Sequence, residues 1–141
     1  MSDPYDEDIL RWSEHQAELL RRLAAGEPVN ERPDWANIIE EVESAGRSDL
    51  RAVQSLLPQA LLHTLKAQAW PNTPYVAGWE AEALLFRAQA RTAFSASMRR
   101  RLDVARLYAD ALNAMPANID GQPPQPVPPT CPTTLDELLG S

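Results

Sequence analysis

Hydrophobic positions along the chain recur at steps of three and four almost throughout, and no segment alternates β-branched and polar residues with the period of a strand. The first run, Tyr5, Ile9, Trp12, Gln16, Leu19/Leu20 and Leu23, lines one face of a helix. Asp3-Pro4 predicts its start, as a cap followed by proline in the first turn, and Gly26 its end. After a loop with Pro28, Asn30 and Pro33, a second helix is predicted from Asp34 to Ala45, with Trp35, Ile38, Ile39 and Val42 as its core stripe. Gly46 is the expected left-handed terminator and Ser48 the cap of a third helix over about 49–69, so the two form a tight hairpin or corner.

The third helix has the widest apolar arc, with Leu50, Val53, Leu57 and Leu61 on one side and Leu56, Leu62 and Leu65 beside them. Pro58 lies within it and is expected to kink or divide it, because it removes one backbone donor. Helix four is expected from near Gly78, with Trp79, Ala83, Phe86 and Ala90. Helix five follows the Ser95–Ser97 break, with Met98, Leu102, Ala105, Tyr108, Leu112 and Met115. The proline-rich stretch from Met115 to Pro132 is neither regular helix nor central strand. Thr134 and Glu137 form a capping box ahead of a last short helix carrying Leu135, Leu138 and Leu139. The predicted fold is all-α: a bundle of about five main helices over 1–115, with a proline-rich strap and short terminal helix over 116–141 packing on the same domain.

These residues also carry a resemblance. Tyr5-Asp6-Glu7-Asp8 with Trp12, Gln16-Ala17-Glu18-Leu19-Leu20, Asp34-Trp35 and Asn37-Ile38-Ile39-Glu40-Glu41-Val42-Glu43-Ser44 with Gly46-Arg47-Ser48 resemble the bacterial family known as Domain of Unknown Function twenty-nine. Leu61-Leu62-His63, Leu65-Lys66, Cys131-Pro132 and Thr134-Leu135 fit the same pattern. The resemblance spans essentially the whole chain. It implies an all-helical fold and no assigned activity.

Composition narrows the class. At 141 residues the chain is long enough to bury a core without metal or disulfide, and its single cysteine, Cys131, allows no internal bridge. No apolar run approaches the ~20 residues of a membrane span, and the acidic start (Asp3, Asp6, Glu7, Asp8) is the reverse of a signal peptide. A cytoplasmic protein without membrane contact is expected. The net charge of −7 is uneven: residues 1–50 carry 13 acids against 5 bases, residues 51–110 carry 4 against 8, and residues 111–141 carry 3 acids and no base. An acidic first third argues against general nucleic-acid binding. It fits either acidic and basic segments packed side by side or a neutralising partner chain.

Candidate chemistry is sparse. Glu40, Glu41 and Glu43 with His63 offer the ligand types of a metal-assisted hydrolase or nuclease. In a hairpin about Gly46–Ser48, however, Glu43 lies roughly 5 Å from the turn and His63 about 22 Å along the other arm, at 1.5 Å per residue. On the helical wheel only Glu43 flanks the stripe of Trp35, with Arg47 four residues on as an ion-pair partner. His63 sits among leucines, where a partly buried ring is the plainer reading, and His15 reads as surface. Gln16 occupies a core position and must find a partner, either a backbone group or His63 or Glu43. Trp12, Trp35, Trp70 and Trp79 read as core or pocket walls, and a tryptophan-lined pocket for a small ligand is a further possibility. Arg99-Arg100-Arg101 is read as opening helix five, as a solvated turn or a contact to the acidic third. There is no glycine-rich phosphate loop, zinc spacing or Ser-His-Asp pattern, so no cofactor or metal is expected.

The leading functional expectation is a non-catalytic interaction module, self-associating or bound to another protein. Its candidate contact residues are Gln16, Arg47, Leu135, Leu138 and Leu139. The enzymatic alternative rests on the Glu40–Glu43 segment with His63, and Glu43 and His63 are its catalytic candidates.

Overall fold

The computed structural model describes residues 3–140. Six α-helices follow in order: α1 (Pro4–Glu7), α2 (Ile9–Ala24), α3 (Trp35–Ala69), α4 (Val76–Ala93), α5 (Val104–Asn113) and α6 (Leu135–Leu139), with a 3-10 helix, Ala96–Arg101, between α4 and α5. No strand occurs among the described residues; one isolated bridge joins Ile119 and Gln122. No helix is long and apolar enough to cross a membrane. The chain divides into two compact units, at Arg47/Ser48, inside α3.

That division marks the main correction to the sequence reading. Gly46 does not terminate a helix, and the expected second and third helices are one element of 35 residues. Gly46 has no positive φ, and Arg47 ties the turns around it by reaching back to Glu40 (2.7 Å) and Glu43 (3.6 Å). Pro58 does not divide the helix either. The expected first helix is instead two, because the Asp8 backbone leaves helical geometry and its side chain caps α2 through the Arg11 N–H. The Asp3–Pro4 start stands, with Asp3 accepting from the Tyr5 N–H.

In the first unit, α1 and α2 are followed by a loop and the opening turns of α3. Trp12, Leu19, Gln16 and Pro33 are its buried residues. The Tyr5 ring meets Trp12 edge-on, with centroids 4.8 Å apart. Asp34 is the hub. It accepts from Trp12 Nε1 (3.0 Å) and Asn37 Nδ2 (2.8 Å), while its own N–H donates to Gln16 Oε1 (2.7 Å).

The second unit holds the larger core. Val53, Leu57, Leu61 and Leu65 of α3 pack with Ala90 of α4, Met98 of the 3-10 helix, Leu107, Tyr108 and Ala111 of α5, and Leu135, Leu138 and Leu139 of α6. The strap, residues 116–132, is fastened by hydrogen bonds: Trp70 Nε1 to the Gln122 carbonyl (2.9 Å), the Gln125 N–H to the Ala69 carbonyl (2.9 Å) and the Tyr108 hydroxyl to the Pro128 carbonyl (2.5 Å). The Thr134–Glu137 capping box forms as expected. The other end of α6 is closed by two arginines four residues apart on α4. Arg87 donates to the Leu138 and Glu137 carbonyls (2.8 and 2.5 Å), and Arg91 donates to that of Leu139 (3.1 Å). Helix ends leave their last carbonyls short of internal partners, and although the Glu137 carbonyl also accepts from the Gly140 N–H, positive charge there suits the helix dipole.

Candidate functional site

The residues singled out from sequence are dispersed. Glu40 and Glu43 both face Arg47 in the first unit, and Glu41 accepts from the Tyr5 hydroxyl. That contact, with the neighbouring carboxylates, pushes the Tyr5 phenol up to about 12. His63 lies in the second unit, with Nε2 3.2 Å from Glu82 and its ring stacked on Phe86. Burial lowers its pKa below the ordinary 6.5 of histidine, although Glu82 pulls the other way, so at neutral pH the ring in this contact is uncharged. Nδ1 of His63 is buried without a partner. Among the described residues no group of three His, Cys, Asp or Glu side chains is placed to hold a metal.

Gln16 finds a backbone group, the Asp34 N–H, rather than His63 or Glu43. Two expectations are corrected. Leu135, Leu138 and Leu139 are buried against their own unit and offer no surface, because α6 docks its apolar face on the core instead of projecting it. Arg99–Arg101 does not open α5. It closes the 3-10 helix, Asp103 caps α5, and Arg99 pairs with Asp136 (2.8 Å).

The largest departure is the stripe expected to be the second helix's core. Trp35 is 43% exposed, Ile39 55% and Val42 71%. Trp12 and Trp70 are buried as expected, so Trp35 alone among the tryptophans stands out as an exposed apolar anchor. Of the nearby acids Glu43 flanks the stripe, while Glu40 falls about 140° round the helix from Trp35 at 100° per residue. Residues 1–47 hold 12 acids against 5 bases and residues 48–141 hold 8 of each, so the whole net charge belongs to the unit carrying this stripe. Spacing alone marks the stripe as apolar in the sequence, and only the number of helices available to cover it tells that it is left open.

The same unit contains a cleft of about 660 Å³ beside α1, α2 and the loop before α3, lined among others by Arg11, Trp12, His15, Gln16, Arg32 and Asp34. His15, exposed as expected, contacts Glu31 there. Hydrogen bonds from Asn37 and then Trp12 hold the Asp34 carboxyl below its usual range. No sequence motif marks this cleft. Arg11 and Arg32 are separated by twenty-one positions and meet only through the turn between α2 and α3.

The family described as domain of unknown function DUF29 matches over residues 4–141. The chain belongs to this family. An α-helical protein of unknown function from Rhodospirillum rubrum, solved by crystallography, is similar at 27% identity, covering 99% of this chain and 90% of that one, with a TM-score of 0.62. No curated protein matches. The solved neighbour is α-helical like this chain, and membership of the family assigns no chemistry to any of the residues above.

Proposed function

We propose that this DUF29 protein is a non-catalytic interaction module whose contact face is the α3 stripe of Trp35, Ile39 and Val42. The observation that carries the reading is that three successive apolar positions, spaced four and three apart, stand open to solvent on one helix face. Tryptophan is among the residue types most enriched at interface hot spots, and Ile39 and Val42 extend the apolar surface beside it. The occupant it fits is a partner helix with an apolar face and basic flanks, read at i, i+3/i+4 and i+7 spacing. Charge favours this over a second copy. A symmetric contact would set the −7 unit against itself, whereas lysine or arginine beside Glu43 is complementary.

The test is titration of the protein with a helical Leu/Lys peptide and with its Leu/Glu counterpart, with light scattering on the protein alone. The reading expects the Leu/Lys peptide to bind, binding to weaken as salt rises, and Ile39→Lys to abolish it. Equal binding of both peptides would refute it. So would a dimer that Ile39→Lys dissolves, which would make a second copy the occupant.

The enzymatic alternative gains no support from the geometry. Glu40 and Glu43 are engaged by Arg47, Glu41 by Tyr5 and His63 by Glu82, with the acids and the histidine in different units.

A further inference from the structure

The cleft of the first unit has a distinct pattern of engaged and unengaged polar groups. Its carboxylates already have partners. Asp3 and Asp8 cap α1 and α2, Glu31 faces His15, and Asp34 accepts from Trp12 and Asn37. Its donors do not. The guanidinium groups of Arg11 and Arg32 make no ion pair or hydrogen bond among the described residues.

Gln16 is the decisive group. It is 92% buried, lines the cleft, and spends its Oε1 on the Asp34 N–H, yet its Nε2 donates to nothing among the described residues. Although the residue is buried as a whole, Nε2 itself is not sealed from solvent, so its N–H pair opens outward rather than into the core. Its place in the cleft wall points that capacity at whatever fills the cleft. A volume of about 660 Å³ falls within the range of small-molecule sites.

We propose that this cleft binds an amino-acid-like zwitterion. The ligand's carboxylate takes the free donors of Arg11, Arg32 and Gln16 Nε2, a set suited to planar, bidentate recognition. A plain anion fits poorly, because five carboxylates also line the cleft. An ammonium group on the same molecule turns those carboxylates from repulsive to complementary. A carboxylate offers about four lone-pair sites, so Asp3, Asp8 and Glu31, each with one side-chain contact named above, keep acceptor capacity for it. The site is separate from the α3 stripe in both residues and ligand, and neither reading depends on the other.

The experiment is a thermal-shift screen of the intact protein against the twenty free amino acids, followed by calorimetric titration of the best one. Its N-acetyl derivative, which lacks the ammonium, and its amide, which lacks the carboxylate, serve as controls. The expected result is saturable binding of the free amino acid and loss of roughly tenfold or more with either derivative. Gln16→Glu keeps the acceptor for the Asp34 N–H while replacing the donor with a negative charge, and should abolish binding. Arg32→Gln, which removes no contact of the fold, should weaken it by a similar tenfold and decides the matter if Gln16→Glu does not fold. No binding by any amino acid at about 10 mM, equal binding of the N-acetyl form, or unchanged affinity in Arg32→Gln would each overturn the proposal.

Discussion

Two valines of the same helix give a controlled test of the division between buried and open faces. Val53 is 0% exposed and Val42 71% exposed, and both sit on α3 eleven residues apart. Replacing either with alanine changes helix propensity by the same few tenths of a kcal/mol, so that contribution cancels when the two variants are compared. What remains is burial. Truncating Val53 removes two methyl groups from water-free packing, about 1.6 kcal/mol of transfer free energy at ~0.8 per carbon. A cavity contribution of up to about 1 kcal/mol adds to this where the surroundings do not collapse. Val53→Ala is therefore expected to cost about 2 to 2.5 kcal/mol more than Val42→Ala, which should lie within ~0.5 kcal/mol of the parent. Urea unfolding followed by far-ultraviolet circular dichroism reads the difference directly, with each variant's midpoint taken at unchanged slope. In a thermal melt the same gap is roughly 8 °C for a chain of this length. Equal costs for the two variants would refute the exposure of the stripe. A cost at Val42 that grows with protein concentration would show the stripe to be covered by another copy.

Three further outcomes follow from particular positions. Gly46→Ala is expected to stabilise by about 0.5–1 kcal/mol, since Gly46 lies inside a helix and a Cβ there meets nothing within 4 Å; a loss in the urea midpoint would mean that α3 is broken there. Gly140→Ala is expected to destabilise by ~1–2 kcal/mol from backbone strain alone, because φ is +76°. A Cβ would also lie 2.5 Å from Arg91 Nη1 and push that guanidinium from the Leu139 carbonyl, and Arg91→Ala should show part of the same loss. His63 predicts acid sensitivity. Its folded pKa lies below its unfolded value, so the unfolded chain binds the proton more readily, and stability should be full above about 6.5 and fall as pH drops below it. The midpoint of urea unfolding measured from pH 7.5 to 5 should show this slope in the parent and a reduced one in His63→Gln; identical slopes would contradict it.

Much of the second unit was legible because its signals are local. The Thr134–Glu137 box, the leucines after it and the wide arc of Val53, Leu57, Leu61 and Leu65 each name their own structure. The dihedral angle at Gly46 was not legible, since a glycine with a serine two positions on is the same signal whether the chain turns or continues. The continuous helix rests instead on contacts such as Arg47 with Glu40 and Glu43, which presuppose it. The same error concealed the open stripe. Once Gly46 is read as a turn, Trp35, Ile39 and Val42 acquire a neighbouring helix to pack on, and their apolar character looks fully explained. The clasp of Arg87 and Arg91 on α6 joins residues about fifty positions apart and has no local signature beyond their i, i+4 spacing. In the first unit the importance of Gln16 was visible as a polar residue at a core position, but its partner, the Asp34 backbone, was not.

The interaction reading is tested most directly at Trp35. Acrylamide quenching of the parent, with the signal of Trp35→Phe subtracted, isolates that indole, and it should be measured with and without the Leu/Lys peptide. The account predicts an accessible Trp35 in the free protein that becomes shielded as the peptide saturates, with the shielding lost in Ile39→Lys. A Trp35 already shielded in the free protein, or one left equally accessible when the peptide is bound, would contradict it.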